Sequence, residues 1–308
     1  METTPVTEIP NVVKAIDESL AAEIQKYPIN ANHASRLGHP CLRYLVYRRT
    51  NWKDARAFTI QSKRKMEDGN VHEKDILTKM EKAGFNVICQ QKYFKWDKYN
   101  ITGRMDGILS KDRREFPFEI KSMDTYGFQS IDTAEDFKKR DYFKTYLTQL
   151  NLYLLSENKE DGFFILKDRN QCELKQVNIK LDYEIAESAV KAAETVNKHV
   201  TAGTYPDRIR YCNTCKFCEY KHICLDGIEN AGGLEVYDDA ETAQLIKRMK
   251  ELEPGKKEYE GIHKKIKTMF NKKNNILVGD YLITGEERER KGYTVEPCTY
   301  WTMDIEAL

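Results

Sequence analysis

Glu119 and Lys121 stand two positions apart in Phe118-Glu119-Ile120-Lys121, and Asp106 lies shortly before them in Gly103-Arg104-Met105-Asp106-Gly107. On a strand, alternate side chains share a face. Phe118 and Ile120 then enter a core while Glu119 and Lys121 point together toward a cleft. With Asp106 near the end of the preceding strand, a hairpin brings it beside Glu119. Two adjacent carboxylates repel one another unless a cation lies between them, and oxygen ligands of this kind suit Mg2+ or Mn2+. Such an ion binds a scissile phosphate and acidifies an attacking water. Lys121 would position that water and offset charge on the phosphate. His72, on a helix before the sheet, is a candidate nitrogen ligand that favours Mn2+. Taken singly, each group has a plainer role. A Glu-x-Lys triplet is usually a solvated ion pair, an Asp before Gly a turn residue, and a His on a charged helix merely exposed.

The elements that must position these groups follow from apolar periodicity. Residues 65–83 read as a helix ended by Gly84. Residues 87–96, 99–109 and 116–122 read as strands, the last two separated by the charged turn 111–115. Residues 142–156 form an apolar helix, 162–167 and 173–179 a strand pair, and 183–200 an amphipathic helix. Shorter helices are expected at 12–25 and at 42–49, after Pro40-Cys41. The character changes after Gly232-Gly233. Leu245, Met249, Leu252, Tyr259, Ile262, Ile266 and Met269 keep a near-heptad stripe. Pro254-Gly255 interrupts it, which makes either a kinked helix or a helical hairpin. Residues 276–284 and 292–304 alternate like a terminal hairpin joined by the charged stretch 285–291. Three segments result: an arm and helix at 1–32, a core domain at 33–232, and a helical and hairpin extension at 233–308. There is no internal repeat.

The order His72, Asp106, Glu119-x-Lys121 and Gln149-x-x-x-Tyr153 resembles the PD-(D/E)XK nuclease superfamily, in its RecB-like branch, over roughly residues 33–225. Met105 stands where that pattern usually has proline. The resemblance implies an α/β (α+β) fold with a restriction-endonuclease-like core, a central mixed sheet flanked by helices. It implies catalytic roles for Asp106, Glu119 and Lys121, and metal ligation by His72, Asp106, Glu119 and the backbone carbonyl of Ile120. Gln149 and Tyr153 share a helix face at their four-residue spacing. Their plainer role is amphipathic packing; the implied one is contacting a DNA end and ordering the site.

Eight cysteines in a chain that reads as intracellular point to metal binding or buried thiols before disulfides. Cys215-x-x-Cys218-x5-Cys224 follows the core, and Cys41 precedes it, in Arg36-Leu37-Gly38-His39-Pro40-Cys41. This arrangement of one plus three resembles the iron–sulfur RecB-like nucleases, which include AddB-type and CRISPR-adaptation exonucleases. The resemblance implies that the four thiolates hold a [4Fe–4S] cluster. That cluster would act as a structural staple of a helical cap, worth nominally about 5 kcal/mol by analogy with a long disulfide loop. Cys212 completes a local four-cysteine set that would suit structural Zn2+, or it replaces Cys215 as a cluster ligand. Cys89, Cys172 and Cys298 read as buried or strand thiols. Arg208, Arg210, Lys216, Lys221 and His222 interleave with Tyr211, Phe217 and Tyr220. Such a surface either tracks single-stranded DNA or is a solvated face.

The bulk numbers bound these readings. The chain has 308 residues, 40% hydrophobic and 32% charged, enough for a sizeable core in one or two domains. A net charge of +1 gives no global basic field. The first residues lack a basic-then-apolar leader, and no apolar run approaches about 20 residues. A cytoplasmic location without membrane contact is therefore expected. No G-x-x-x-x-G-K-[ST] loop occurs, so any helicase motor belongs to a partner. The expected substrate is DNA, as single strands or free ends. The extension at 233–308 loosely resembles tails of YqaJ-type phage recombination exonucleases. It implies a homo-oligomer or docking of an annealing protein, helicase or integrase.

Overall fold

The structure is a computed structural model and describes residues 9–225, 235–236, 239–253, 255–290 and 298–307. Contacts divide the chain into two compact units, Met1–Asp207 and Arg208–Leu308.

In chain order the first unit contains α1 (Val12–Glu23), β1 (Asn32–His33), α2 (Leu42–Thr50), α3 (Ile60–Lys82), β2 (Asn86–Ile88), β3 (Lys92–Trp96), β4 (Ile101–Met105), β5 (Gly107–Lys111) and β6 (Arg114–Met123). It continues with α4 (Thr125–Gln129), α5 (Asp141–Ser156), β7 (Asp161–Asp168), β8 (Leu174–Lys180) and α6 (Tyr183–Ala202). Five strands form the main sheet in the order β2-β5-β6-β7-β8. Its centre is the parallel pair β6–β7, and its other pairs are antiparallel. A parallel pair needs a long crossover, and α5 lies within it. The expected α/β class, with a mixed sheet flanked by helices, is thus present.

The two sides of β6 explain the layering. Phe118 and Ile120 pack with Phe163 against Ile76, Leu77 and Met80 of α3. Met123, Phe164, Leu166, Val177 and Ile179 pack with Phe143, Leu147, Leu150 and Leu154 of α5. At about 25 cal/mol per Å2, such apolar burial dominates the stability of the unit. Glu119 and Lys121 therefore open on the α5 side, not on the α3 side.

Two expected strands are each broken, and the breaks matter. The strand expected at 87–96 divides at Cys89 and Gln91, whose φ values of 54° and 53° leave the extended region. The strand expected at 99–109 divides at Asp106. Before it, β4 belongs to a three-stranded sheet, β1-β4-β3; after it, β5 joins the main sheet. Asp106 is thus the residue at which the chain changes sheets. Cys89 and Cys172 are not buried strand thiols: both are exposed, and both have positive φ. The side chain of Cys298 lies outside the described residues.

The second unit contains α7 (Asn213–Lys216), α8 (Lys221–Cys224), β9 (Glu235–Val236), α9 (Ala240–Glu251), α10 (Lys256–Met269), β10 (Ile276–Val278), β11 (Tyr281–Arg290) and β12 (Cys298–Ala307). Its sheet runs β12-β11-β10-β9. The apolar stripe resolves into a helical hairpin, α9 and α10 packing on one another. Ile246, Met249, Ile262 and Ile266 meet Ile276, Val278, Ile283, Trp301 and Met303. The charged stretch after Gly285 is not the hairpin loop: residues to Arg290 continue β11 and pair with β12. Alternation of Glu and Arg keeps the strand period of two, which a charge count alone reads as a loop. Among the described residues no helix is long and apolar enough to cross a membrane.

Candidate active site

Local chain geometry brings Asp106, Glu119 and Lys121 together. Pairing of β5 with β6 sets Gly107 opposite Phe118, so Asp106 arrives beside Glu119. Gly107 has to be glycine, because a Cβ there would lie 2.6 Å from Phe118 Cζ. Asp106 Oδ2 accepts a hydrogen bond from the Ile120 amide at 2.8 Å, and its carbonyl accepts from the Gln91 amide at 3.1 Å. The carboxylate is thereby fixed at both its side chain and its backbone.

Glu119 is fully buried. Its Oε2 accepts from the Lys121 ammonium and from Gln149 Nε2 at 3.0 Å, whereas its Oε1 is buried without any partner. Burial, and then the nearby Asp106 charge, pushes its pKa up to about 8 against the opposing pull of Lys121. For Lys121 burial works against the charged form, but Glu119 and Asp106 outweigh it and the pKa is raised. The Lys121 ammonium also lies 5.2 Å from the ring centroid of Tyr146, a favourable cation–π contact.

Gln149 and Tyr153 lie on the inner face of α5, one turn apart. Gln149 donates to both Glu119 and the Tyr153 hydroxyl. That hydroxyl donates to the Arg104 carbonyl and accepts from the Arg104 amide, both at 3.0 Å. Tyr153 therefore latches β4 to α5, and Gln149 hangs the Glu119 carboxylate from the same helix. Gly103 leaves the room, since a Cβ there would meet Tyr153 Cε1 at 2.6 Å. At 6% and 1% exposure neither side chain has a surface with which to touch a DNA end. In this structure the two side chains support the site from within, through Glu119 and Arg104.

His72 has different surroundings. Burial, Lys167 and Arg169 lower its pKa, and the carboxylates around it are Asp68 and Asp75. Its neighbour Glu73 is the helix residue that feels the site. Burial and the Asp106 charge raise the Glu73 pKa, while Lys121 opposes them, and Gln91 donates to its carboxylate. The signal for Glu73 was in the sequence. It precedes Ile76, Leu77 and Met80 by three, four and seven positions, which is the spacing of one helix face. His72 is rotated from that centre by about 100°.

Glu73, Asp106, Ile120 and Lys121 line one cleft of about 560 Å3, together with Lys65, Tyr126, Arg140, Tyr142 and Arg169. Sequence patterning singled out none of the last five, which come from four separate stretches of the chain. Among the described residues no three His, Cys, Asp or Glu side chains form a ready-made metal cage. The donor set nevertheless fits a hard divalent cation, which needs only one or two carboxylates alongside water and phosphate. An orphaned buried carboxylate oxygen and two carboxyl groups pushed up by burial and then by the Asp106 charge are what such a cation relieves.

The cysteines fall in both units. Cys41 caps the N-terminus of α2, its sulfur accepting from the Tyr44 amide at 3.4 Å. Cys212 precedes α7, Cys215 lies within it, Cys218 follows it and Cys224 closes α8. The Cys218 sulfur accepts from the Tyr220 amide at 3.4 Å. Of the interleaved aromatic residues, Phe217 is 82% exposed and Tyr220 is 1% exposed, while Tyr211 packs on Leu225 and Leu282. A continuous stacking surface is therefore not present on those three.

No family model matches the chain, and no curated protein matches it significantly. Among solved structures it is similar to SSO0001, at 16% identity and a TM-score of 0.43, over 69% of this chain and 93% of that one. It is also similar to LHK-Exo, an alkaline exonuclease from Laribacter hongkongensis, at 16% identity and a TM-score of 0.39, over 60% of this chain and 93% of that one. The complex of LHK-Exo with dAMP gives 16% identity and a TM-score of 0.38 over the same shares.

Proposed function

We propose that the chain is a divalent-metal-dependent deoxyribonuclease of the PD-(D/E)XK kind, acting as an exonuclease on single strands or free DNA ends. The observation that carries this reading is the convergence of Asp106, Glu119 and Lys121, of which Asp106 and Lys121 line a cleft while one buried Glu119 oxygen behind them has no protein partner. An unmet buried acceptor costs about 1–3 kcal/mol, a cost that a bound cation would offset.

Asp106 and Glu119, with Glu73 close by, would hold Mg2+ or Mn2+. When bound, the ion supplies Lewis-acid stabilisation of the phosphate and acidifies the attacking water. Lys121 keeps its proton at neutral pH because its pKa is raised. As a cation it would donate hydrogen bonds to phosphate oxygen or water. Gln149 holds the Glu119 carboxylate through Oε2, so Oε1 is the oxygen that would ligate the ion.

The test is incubation of end-labelled single- and double-stranded DNA with and without Mg2+ or Mn2+. Wild type is expected to shorten the label progressively, and Asp106→Ala and Lys121→Ala to lose cleavage while keeping wild-type circular dichroism. Metal-dependent degradation by both variants ends the catalytic assignment. Binding of ends without any cleavage by wild type instead makes the chain an end-binding module.

The cysteine station is carried forward on spacing alone. We propose Cys41, Cys215, Cys218 and Cys224 as ligands of a [4Fe–4S] cluster with a structural role; no catalytic step involves it. A preparation absorbing near ~400 nm and containing iron supports the cluster. Zinc without iron assigns the site to the local set that includes Cys212.

A further inference from the structure

We propose that the mouth of the cleft is a binding site for one unpaired nucleotide of a DNA strand, its base stacked on Tyr126 and its phosphate held by Arg140. This rests on the nuclease reading and names how that site recognises its substrate.

Tyr126 belongs to α4, which begins directly after β6 with Asp124 as its cap. Asp124 Oδ1 accepts from the Gly127 amide at 2.7 Å, which sets the short helix firmly at the end of the catalytic strand. The ring is 70% exposed, yet it is not a stray surface aromatic, because it lines the same cleft as Asp106 and Lys121. The Arg140 guanidinium lies 4.5 Å from its centroid and 5.6 Å from that of Phe143. A planar cation over an aromatic ring is held in place with its donors still available.

The charges at this cleft point the same way. Elsewhere in the chain most lysines and arginines near a carboxylate are paired with it, as Lys63, Lys92, Lys138 and Lys159 are. Lys65, Arg140 and Arg169 all line the cleft, and among the described residues none of the three forms an ion pair. Glu73, Asp106 and Asp124 line the same cleft, so with a divalent cation on the carboxylates the three cations without ion pairs are left to seat an anion. Cations for phosphates beside an exposed ring for a base are the two halves of single-strand recognition. Within a duplex both faces of a base are covered by its neighbours, so only an unpaired or terminal base offers a face to Tyr126.

The experiment uses the full chain with Ca2+ in place of Mg2+, to permit binding with slow cleavage. Fluorescence anisotropy compares oligothymidylate with an abasic oligomer of equal length and charge. Tyr126→Ala is expected to weaken oligothymidylate binding by about tenfold or more and the abasic oligomer, through the loosened Arg140, by clearly less, with Tyr126→Phe restoring both. Arg140→Ala is expected to weaken both and to lower the slope of log K against log salt by about 0.7. Equal affinities of wild type and Tyr126→Ala for oligothymidylate overturn the site, as do equal losses on both oligomers. Cleavage in Mg2+ separates the two claims. A wild type that cuts while Tyr126→Ala binds normally loses this site but keeps the nuclease. A wild type with the expected binding pattern and no cleavage keeps the site and loses the nuclease.

Discussion

Glu73 and His72 are adjacent in sequence and opposite in consequence. Glu73 lines the cleft and shares its electrostatics with Asp106 and Lys121, whereas His72 sits among Lys167, Arg169, Asp68 and Asp75. Glu73→Gln is therefore expected to lower cleavage by about a hundredfold, the size of loss typical when one transition-state electrostatic partner is removed. His72→Ala is expected to stay within about threefold of wild type. Initial rates on end-labelled DNA at saturating Mg2+ check both, and the reverse order of effects would return the ligand role to His72. The Tyr153 hydroxyl is a second residue with a defined duty, serving Arg104 twice and Gln149 once. Tyr153→Phe keeps the ring but strands those buried groups, so it is expected to cost about 1–3 kcal/mol in urea denaturation. An unchanged midpoint would show that water replaces the hydroxyl.

At the level of elements, the site depends on where strands stop. β4 and β5 are one stretch of sequence that joins two sheets, and the residue at the seam is Asp106. Its carboxylate reaches across to the Ile120 amide of β6 only because the chain turns there. The segment before α5 is fixed by a different device. Thr133 and Asp136 form a capping box, with Asp136 accepting from the amides of Asp132 and Thr133. The bond from Lys139, and then those amides, hold the Asp136 pKa below its ordinary value of 3.8. Because the folded value is depressed, the aspartate stabilises the fold above the unfolded pKa, and that contribution disappears as pH falls through the folded one. Asp136→Asn is therefore expected to flatten the acid limb of melting temperature against pH between about pH 5 and about pH 2. Parallel curves for the two proteins would remove the capping charge from the account.

At the level of the whole molecule, each unit carries its own core. Residues from α9, α10 and the sheet β12-β11-β10-β9 form one cluster that includes Ile266, fully buried. The two clusters packed around α3 and α5 of the first unit draw on residues no later than Ile185. Ile266→Ala removes methyl groups from a closed core and is expected to cost about 2–5 kcal/mol. Calorimetry is expected to show two transitions, of which this substitution shifts one. A single transition that moves as a whole would mean that the units unfold together.

The amino-acid sequence by itself determined the class of the fold and the order of its elements. Strand alternation around Phe118 and Ile120 and the stripe of α3 carry that information locally. Through a resemblance in order and spacing it also marked His72, Asp106, Glu119, Lys121, Gln149 and Tyr153 as a set, and the two-residue and four-residue spacings survive as shared faces in strands and helices. What only tertiary structure decided was which neighbours those faces meet. Burial under α5 turned Gln149 and Tyr153 inward, and it left one Glu119 oxygen bare while pushing the carboxyl upward. Packing of α3 set Glu73 near Asp106 and Lys121, and His72 near Lys167 and Arg169. Tyr126, Arg140 and Arg169 meet at one cleft although no periodicity links them, since a cleft is made by distant segments closing around a core and leaves no repeat along the chain.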